Sequence, residues 1–267
     1  MPVITLTTDF GLKDGFAGTL KGVIWSICPE ARIADITHSV SPQNILEGAL
    51  VLERAWQFFP SGTIHLAVVD PGVGTQRRPL AMQVGEGFFV GPDNGLFTPL
   101  FESAEKNGWP MEIIHLTNPK YWLPQVSPTF HGRDIFAPVA AHLANGVPLP
   151  DLGLLIKDPL RIQLPKPERT STGWRAHVVG IDAFGNLAPD LTAGWLLKPE
   201  SVVLRIGRHQ IHGILEAYGQ RPAGELIALA DSEGRLELAV VNGSAAQRTG
   251  AQVGDGVEVE YDESVVE

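Results

Sequence analysis

A single cysteine, Cys28, stands in the whole 267-residue chain. That excludes a disulfide framework and a thiolate-built metal site, and its place after an apolar helical stretch marks it as a buried thiol. Basic runs are equally scarce. None is longer than Arg77-Arg78, and the formal net charge is −10. A phosphate backbone asks for clustered lysine and arginine, so no nucleic acid is expected as partner. No apolar run is long enough to span a bilayer, and the chain enters strand-like sequence directly from Met-Pro-Val-Ile, without a secretory leader. No membrane association and a cytoplasmic location are therefore the expectation. Internal repeats and low-complexity tracts are missing too. What remains is a globular chain, 44% hydrophobic, long enough for one large or two modest domains.

The patterning divides near residue 150. Before it, strand-like runs at residues 3–8, 31–36, 63–69, 80–84, 87–90 and 111–116 mix with helical spacing at 14–27, 41–59 and 134–143. Ser41-Pro42 reads as an N-cap and N1 proline opening the second of these helices. Strands alternating with helices predict a three-layer α/β domain over residues 1–160 with a mostly parallel sheet. Residues 147–172 are rich in proline and charge and read as a linker. Beyond them strand signals crowd together at 174–181, 201–206, 209–216, 225–230, 235–241 and 256–261, with helical signal only at 245–248. That predicts an all-β, barrel-like domain over residues 170–267.

The chemistry-bearing residues sit where these elements change. Thr7-Thr8-Asp9-Phe10-Gly11 ends the first strand, and a carboxylate at the carboxyl end of a parallel strand is where open α/β sheets bind ligands. Val68-Val69-Asp70-Pro71-Gly72-Val73-Gly74-Thr75-Gln76-Arg77-Arg78 ends another, and Thr129-Phe130-His131-Gly132-Arg133-Asp134 opens a helix. Asp, Arg and His gathered at such junctions can handle one proton or one water. Taken singly, each has a plainer reading. Asp70 can cap an Asp-Pro-Gly turn, His131 can cap a helix, and Asp93-Asn94-Gly95 is ordinary turn chemistry. In the second domain Ile181-Asp182-Ala183-Phe184-Gly185-Asn186 puts an acid, a ring and an amide around one bend. It is a turn, or a nucleobase site with Phe184 as ring face. Gly72-Val73-Gly74-Thr75 lacks the lysine of a phosphate loop. The scattered Asp and His residues include no paired metal-ligand spacing, so no metal is expected.

Set in order, the segments T-T-D-F-G (7–11), D-I-T-H-S-V (35–40), V-V-D-P-G-V-G-T-x-R-R (68–78), G-P-D-N-G (91–95), T-F-H-G-R-D (129–134), D-A-F-G-N (182–186), D-S-E-G-R-L (231–236) and the N-G-S-A-A end resemble one family over essentially the whole chain. It is the S-adenosyl-L-methionine hydrolases, or SAM hydroxide adenosyltransferases, relatives of the fluorinases and chlorinases. The resemblance implies an N-terminal α/β domain, a C-terminal β-barrel-like domain and a homotrimer, with the ligand between one subunit's N-terminal domain and a neighbour's C-terminal domain. It implies no cofactor.

By the same resemblance Asp70, Arg77 and His131 form the catalytic set and Asp9 binds the ribose. Asn186 reads adenine, Asp182 lies near the methionine amino group, and Ser232 lies beside the methionine carboxylate. Glu233 stands where the fluorinase has an arginine, which leaves that carboxylate to backbone amides or to another group. Halogenases carry a tyrosine at the position of Asp70, and the fluorinase has a serine at that of Gly132. Asp, Arg and His suit a polarised water instead. The implied reaction is attack of water or hydroxide at the ribose 5′ carbon, with Arg77 stabilising hydroxide and Asp70 or His131 taking the proton.

Overall fold

The computed structural model describes residues 1–196 and 198–261; Leu197 and residues 262–267, the end of the expected second domain, lie outside the described residues. The chain divides into two compact units, Met1–Leu164 and Pro165–Glu267.

The first unit runs β1 (Val3–Thr8), α1 (Phe16–Ile27), β2 (Arg32–Thr37), α2 (Ile45–Trp56), β3 (Ile64–Val68), β4 (Pro79–Val84), β5 (Gly87–Pro92), α3 (Thr98–Asn107), β6 (Met111–Leu116), α4 (Ala137–Ala144) and β7 (Gly153–Ile156). Its sheet has the order β2-β1-β3-β5-β4-β6-β7. The β2-β1-β3-β5 half is parallel, while β5-β4, β4-β6 and β6-β7 pair antiparallel. The sheet is therefore mixed rather than mostly parallel. The physical reason is the Gly85-Glu86 turn, too short for a crossover, which returns β4 directly against β5 as a hairpin.

Both faces are covered. Ile4, Leu6, Ile64, Leu66, Val68 and Val90 pack with Leu20 and Ile24 of α1 and Val139 and Ala140 of α4. Ala67, Val69, Leu80, Met82 and Phe89 pack on the other face with Leu52 of α2 and Leu100, Phe101 and Ala104 of α3. The strictly alternating destinations of residues 66 to 69 follow from the period of two in a strand. The β1–β3 register sets Thr5 beside His65, and these two buried side chains hydrogen-bond at 2.8 Å.

Two local expectations change, and one helix that was not expected is present. The second helix is capped by Asn44, whose side chain accepts from Glu47 N at 3.1 Å, and not by Ser41. Asn44 and Glu47 stand at capping-box spacing, and Glu47 in turn accepts from Ser41 N. Helix α3 carried no strong periodicity; Pro99 in its first turn and left-handed Gly108 at its end are its legible marks. Within the expected linker, residues 153–156 form the edge strand β7, with Leu154 and Leu155 exposed.

The second unit comprises β8 (Glu168–Arg169), β9 (Gly173–Ile181), β10 (Leu187–Pro189), β11 (Val202–Ile206), β12 (His209–His212), β13 (Leu226–Ala230), β14 (Leu236–Val240), α5 (Ala245–Thr249) and β15 (Gly256–Tyr261). Its strands run β12-β11-β15-β9-β10-β14-β13, all antiparallel, with β8 paired to β9. A parallel bridge between Leu215 and Leu229 brings the chain after β12 back to β13, giving the barrel-like form. Inside lie Ala176, Val178, Leu187, Leu204, Leu238, Val257 and Val259.

Candidate active site

Parallel strands β1 and β3 end side by side, and each is followed by an aspartate. Asp9 comes directly after β1; Asp70 follows β3 by two residues. The chain after Asp70 turns on itself, with Val73 N donating to Asp70 O and the Thr75 hydroxyl to Gly72 O. Gly74 has φ +77°, and a Cβ there would lie 2.2 Å from the carbonyl oxygen of Pro128. Only glycine lets this loop dock on the segment that carries His131.

The docked loops assemble a three-residue cluster. Arg77 Nε donates to both oxygens of Asp70, at 2.9 and 3.0 Å, and Nη2 makes a further short bond to Asp70 Oδ2. Nη2 also lies 2.8 Å from His131 Nδ1. The side chains of Arg77 and Asp70 are 7% and 5% exposed. A pair so desolvated is stabilising only when its hydrogen bonds are well formed, as these are. The guanidinium also lies over the Phe136 ring, 5.1 Å from its centroid. Its Nη1 is buried without a hydrogen-bond partner among the described residues.

Arginine can only donate, so His131 Nδ1 accepts and the ring carries its proton on Nε2. Burial, and then the charge of Arg77, hold the His131 pKa below its ordinary value. The imidazole is a neutral Nε2–H donor. Its setting is a turn of π-helix, Gly132–Phe136, just before α4, a local widening found often at functional sites. That turn is held by buried Asp134, which accepts from Arg133 Nε at 2.6 Å and from Ser127 N at 2.8 Å.

A cavity of about 290 Å³ opens over this cluster, and its lining includes Asp9, Gln43, Asp70, Phe130, His131 and Gly132. Arg77 does not line it; the guanidinium sits behind Asp70 and His131. Asp9 Oδ2 accepts from Gln43 N at 2.8 Å, made possible by a left-handed φ of 66° at Gln43. Phe10, Phe16 and Phe130 meet edge to face beside the cavity. A larger cavity of about 550 Å³, lined by Trp56, Phe59, His65 and Trp109, contains none of the residues the sequence singled out. Size alone does not find this site.

The second unit places its candidates on two turns. Asp182 Oδ1 accepts from Phe184 N and Asn186 N, and Oδ2 accepts from Asn186 Nδ2 at 3.1 Å. Gly185 has φ +82°, and a Cβ there would lie 2.0 Å from Ser244 Oγ, so this turn docks closely on the start of α5. Asn186 is buried, whereas Phe184 is 79% exposed. The other turn is organised by Asp231, which accepts from Glu233 N and Arg235 N; Ser232 is exposed within it, and Glu233 pairs with Arg235 at 3.2 Å. Both aspartates thus serve the turns that carry them.

Sequence reasoning passed over Gln43, whose backbone meets Asp9, and the phenylalanines around the cavity. The Thr-Thr-Asp-Phe and Thr-Phe-His motifs held that aromatic signal in Phe10 and Phe130. Among the described residues no group of three His, Cys, Asp or Glu could hold a metal ion, and no helix is long and apolar enough to cross a membrane.

An α/β unit with an Asp–Arg–His cluster at its strand ends, followed by a β-barrel-like unit, defines a two-part class of protein. Residues 4–153 match the SAM hydroxide adenosyltransferase N-terminal domain and residues 176–258 its C-terminal domain. The chain is 42% identical over 260 residues to the (R)-S-adenosyl-L-methionine hydrolase of Salinispora tropica, covering 97% of each. To that of Thermus thermophilus it is 36% identical, covering 95% of this chain and 98% of the relative. A fluorinase of Actinoplanes sp. is 32% identical over 70% of each chain. A crystal structure of an uncharacterized conserved protein from Thermotoga maritima superposes with a TM-score of 0.87 at 38% identity, covering 96% of this chain. The chain belongs to the SAM hydroxide adenosyltransferase family.

Proposed function

We propose that the protein hydrolyses S-adenosyl-L-methionine to adenosine and L-methionine. The observation that carries this reading is the preassembled Asp70–Arg77–His131 cluster beneath a small cavity that also holds Asp9. Full-length relatives named for the same reaction support it.

In this reading the ribose hydroxyls sit on Asp9 and aim the 5′ carbon at a water held between Asp70 and His131. Orientation of this kind is worth on the order of 7 kcal/mol in favourable systems. The water oxygen bonds to the 5′ carbon as the carbon–sulfur bond breaks. The bonding pair leaves on sulfur, and the sulfonium becomes the neutral thioether of methionine. The water's proton goes to Asp70. Assigning the proton to Asp70 rather than to His131 is supported by the contact of Arg77 with His131 Nδ1, which leaves the ring hydrogen on Nε2. His131 Nε2–H instead donates to the attacking oxygen. Arg77 acts through the two groups it holds and as a nearby positive charge that favours hydroxide character. Asp182, Phe184, Asn186, Ser232 and Glu233 supply recognition of adenine and the methionine end, with Ser232 beside the carboxylate. A homotrimer and a cytoplasmic setting complete the proposal; light scattering that returned a monomer would remove the trimer.

The test is chromatography of the products after incubation with S-adenosylmethionine, with and without halide and without added metal. Adenosine and methionine are expected, and S-adenosylhomocysteine should be inert because its leaving group is an anionic thiolate. A halogenated adenosine as main product, or activity abolished by a chelator and restored by a divalent ion, would overturn the reading.

A further inference from the structure

The Gly-Pro-Asp-Asn-Gly segment at 91–95 reads as turn chemistry and takes no part in the cavity, yet two of its side chains are committed elsewhere. Asn94 Nδ2 donates to the carbonyl of Val69 at 2.8 Å, and Asn94 Oδ1 accepts from Leu96 N. Val69 is the residue before Asp70. Asp93, 2% exposed, accepts from Arg78 Nε at 2.7 Å, and its own N donates to Arg78 O. Arg78 is the residue after Arg77. The remaining oxygen of Asp93 accepts from Leu160 N at 2.7 Å, and Arg78 reaches onward to Asp158. Two adjacent turn residues therefore grip the chain neighbours of both members of the buried ion pair. Six residues of glycine-bearing loop separate Asp70 from Arg77, so that loop alone does not fix their spacing.

We propose that the Asp93–Asn94 turn is the positioning element of the site, setting Asp70 against Arg77 and through it the contact of Arg77 with His131. Its consequence for turnover rests on the hydrolase reading; its structural claim does not. Neither residue touches the cavity, so neither is a catalytic residue. Both act through the backbone on either side of the loop. The demand on Asp93 is specific. It receives donors on both oxygens, and an asparagine there must turn its NH₂ toward one of them.

The experiment is the titration of His131 followed by NMR of histidine-labelled protein, in wild type, Asn94→Ala and Asp93→Asn. Leu204→Ala, which opens the separate core of the second unit, serves as a destabilised control. In both turn variants Arg77 withdraws from His131, and the His131 pKa rises toward its ordinary value; in Leu204→Ala it stays where wild type has it. With S-adenosylmethionine, kcat falls about tenfold or more while KM stays within about twofold, the signature of misplaced chemistry rather than lost binding. An unmoved His131 titration in folded Asn94→Ala, or an equal shift in Leu204→Ala, overturns the proposal. If Asp93→Asn does not fold, Asn94→Ala carries the test alone, since it removes a neutral, partly buried amide. The titration needs no substrate, so failure to hydrolyse S-adenosylmethionine would fall on the functional reading and not on this one.

Discussion

Each unit of the chain solves the same local problem, a polar loop docked through one glycine, and the two solutions leave different chemistry. In the first unit, Gly74 seats its loop on Pro128, and the side chains so gathered bond to one another, Arg77 to Asp70 within the loop and to His131 from a distant segment. In the second, Gly185 seats its turn on Ser244, but the polar side chains bond within the turn, Asp182 to the amides at 184 and 186. A buried, cross-linked cluster is preorganised for a charge that develops during reaction. A self-satisfied turn bearing a largely exposed ring presents a fixed shape for a ligand to meet. On the proposed function, the contrast goes with chemistry and ribose binding in the first unit and recognition of adenine and the methionine end in the second.

The largest effect expected from that division is loss of turnover. Arg77→Ala removes the cation from a buried carboxylate and frees His131 Nδ1 at once, so kcat should fall by about 10³-fold, the scale of a lost preorganised electrostatic group. Binding of adenosine, measured by calorimetry, should change little. Near-normal turnover would break the comparison at its strong end. Arg78 and Arg133 are not ready substitutes, being held by Asp93 with Asp158 and by Asp134. Next in size, Gly74→Ala forces a Cβ against a backbone oxygen that has no side-chain freedom to yield. Its thermal midpoint and its turnover should fall together, whereas the equally tight Gly185→Ala should lower stability and raise KM with a smaller change in kcat. Equal kcat losses in both would mean that the units do not divide the work.

Much of this was legible in the sequence. Asp70, Arg77 and His131 lie 7 and 54 residues apart, and no spacing rule joins them; the ordered motifs did, and the structure gives their contacts. The parallel strand ends carrying Asp9 and Asp70 were readable because apolar runs stop abruptly there. The antiparallel half of the sheet was not, since a buried strand has the same composition in either direction. Helix α3 was missed because its buried face, Leu100, Phe101 and Ala104, is short and broken by charge. The Asp93–Asn94 turn was seen only as a turn, for sequence shows what forms a bend and not which distant carbonyl its amide will reach.

A smaller effect separates global stability from the site by pH. Burial lowers the His65 pKa from 6.5 to about 4. The unfolded chain then binds the proton first, so this histidine's contribution is fully present above pH 6.5 and is lost as pH falls toward 4. A shift of that size corresponds to about 3 kcal/mol. His131 is shifted in the same direction, by burial first and by Arg77 second, so acid should also end activity by protonating the nitrogen that Arg77 occupies. Urea unfolding between pH 7 and 4 should show the loss in wild type and a flatter dependence in His65→Gln. An unchanged slope in that variant would assign the acid sensitivity to other groups.

The smallest expected effect sharpens the weak end of the comparison. Phe184 is 79% exposed and touches no core, so Phe184→Ala should leave the unfolding free energy within about 0.5 kcal/mol of wild type. If the ring is there to lie against a nucleobase, the same change should weaken adenosine binding by about 1–3 kcal/mol, the scale of one base–aromatic stack. The two measurements must diverge for the assignment to hold. A variant of unchanged stability that binds and turns over like wild type would leave Phe184 as an ordinary exposed ring on a turn and shift recognition to Asn186, whose amide is buried and already held at 3.1 Å by Asp182. Asn186→Ala would then raise KM on its own while Phe184→Ala did not, and the recognition assigned to the second unit would rest on hydrogen bonding rather than on stacking.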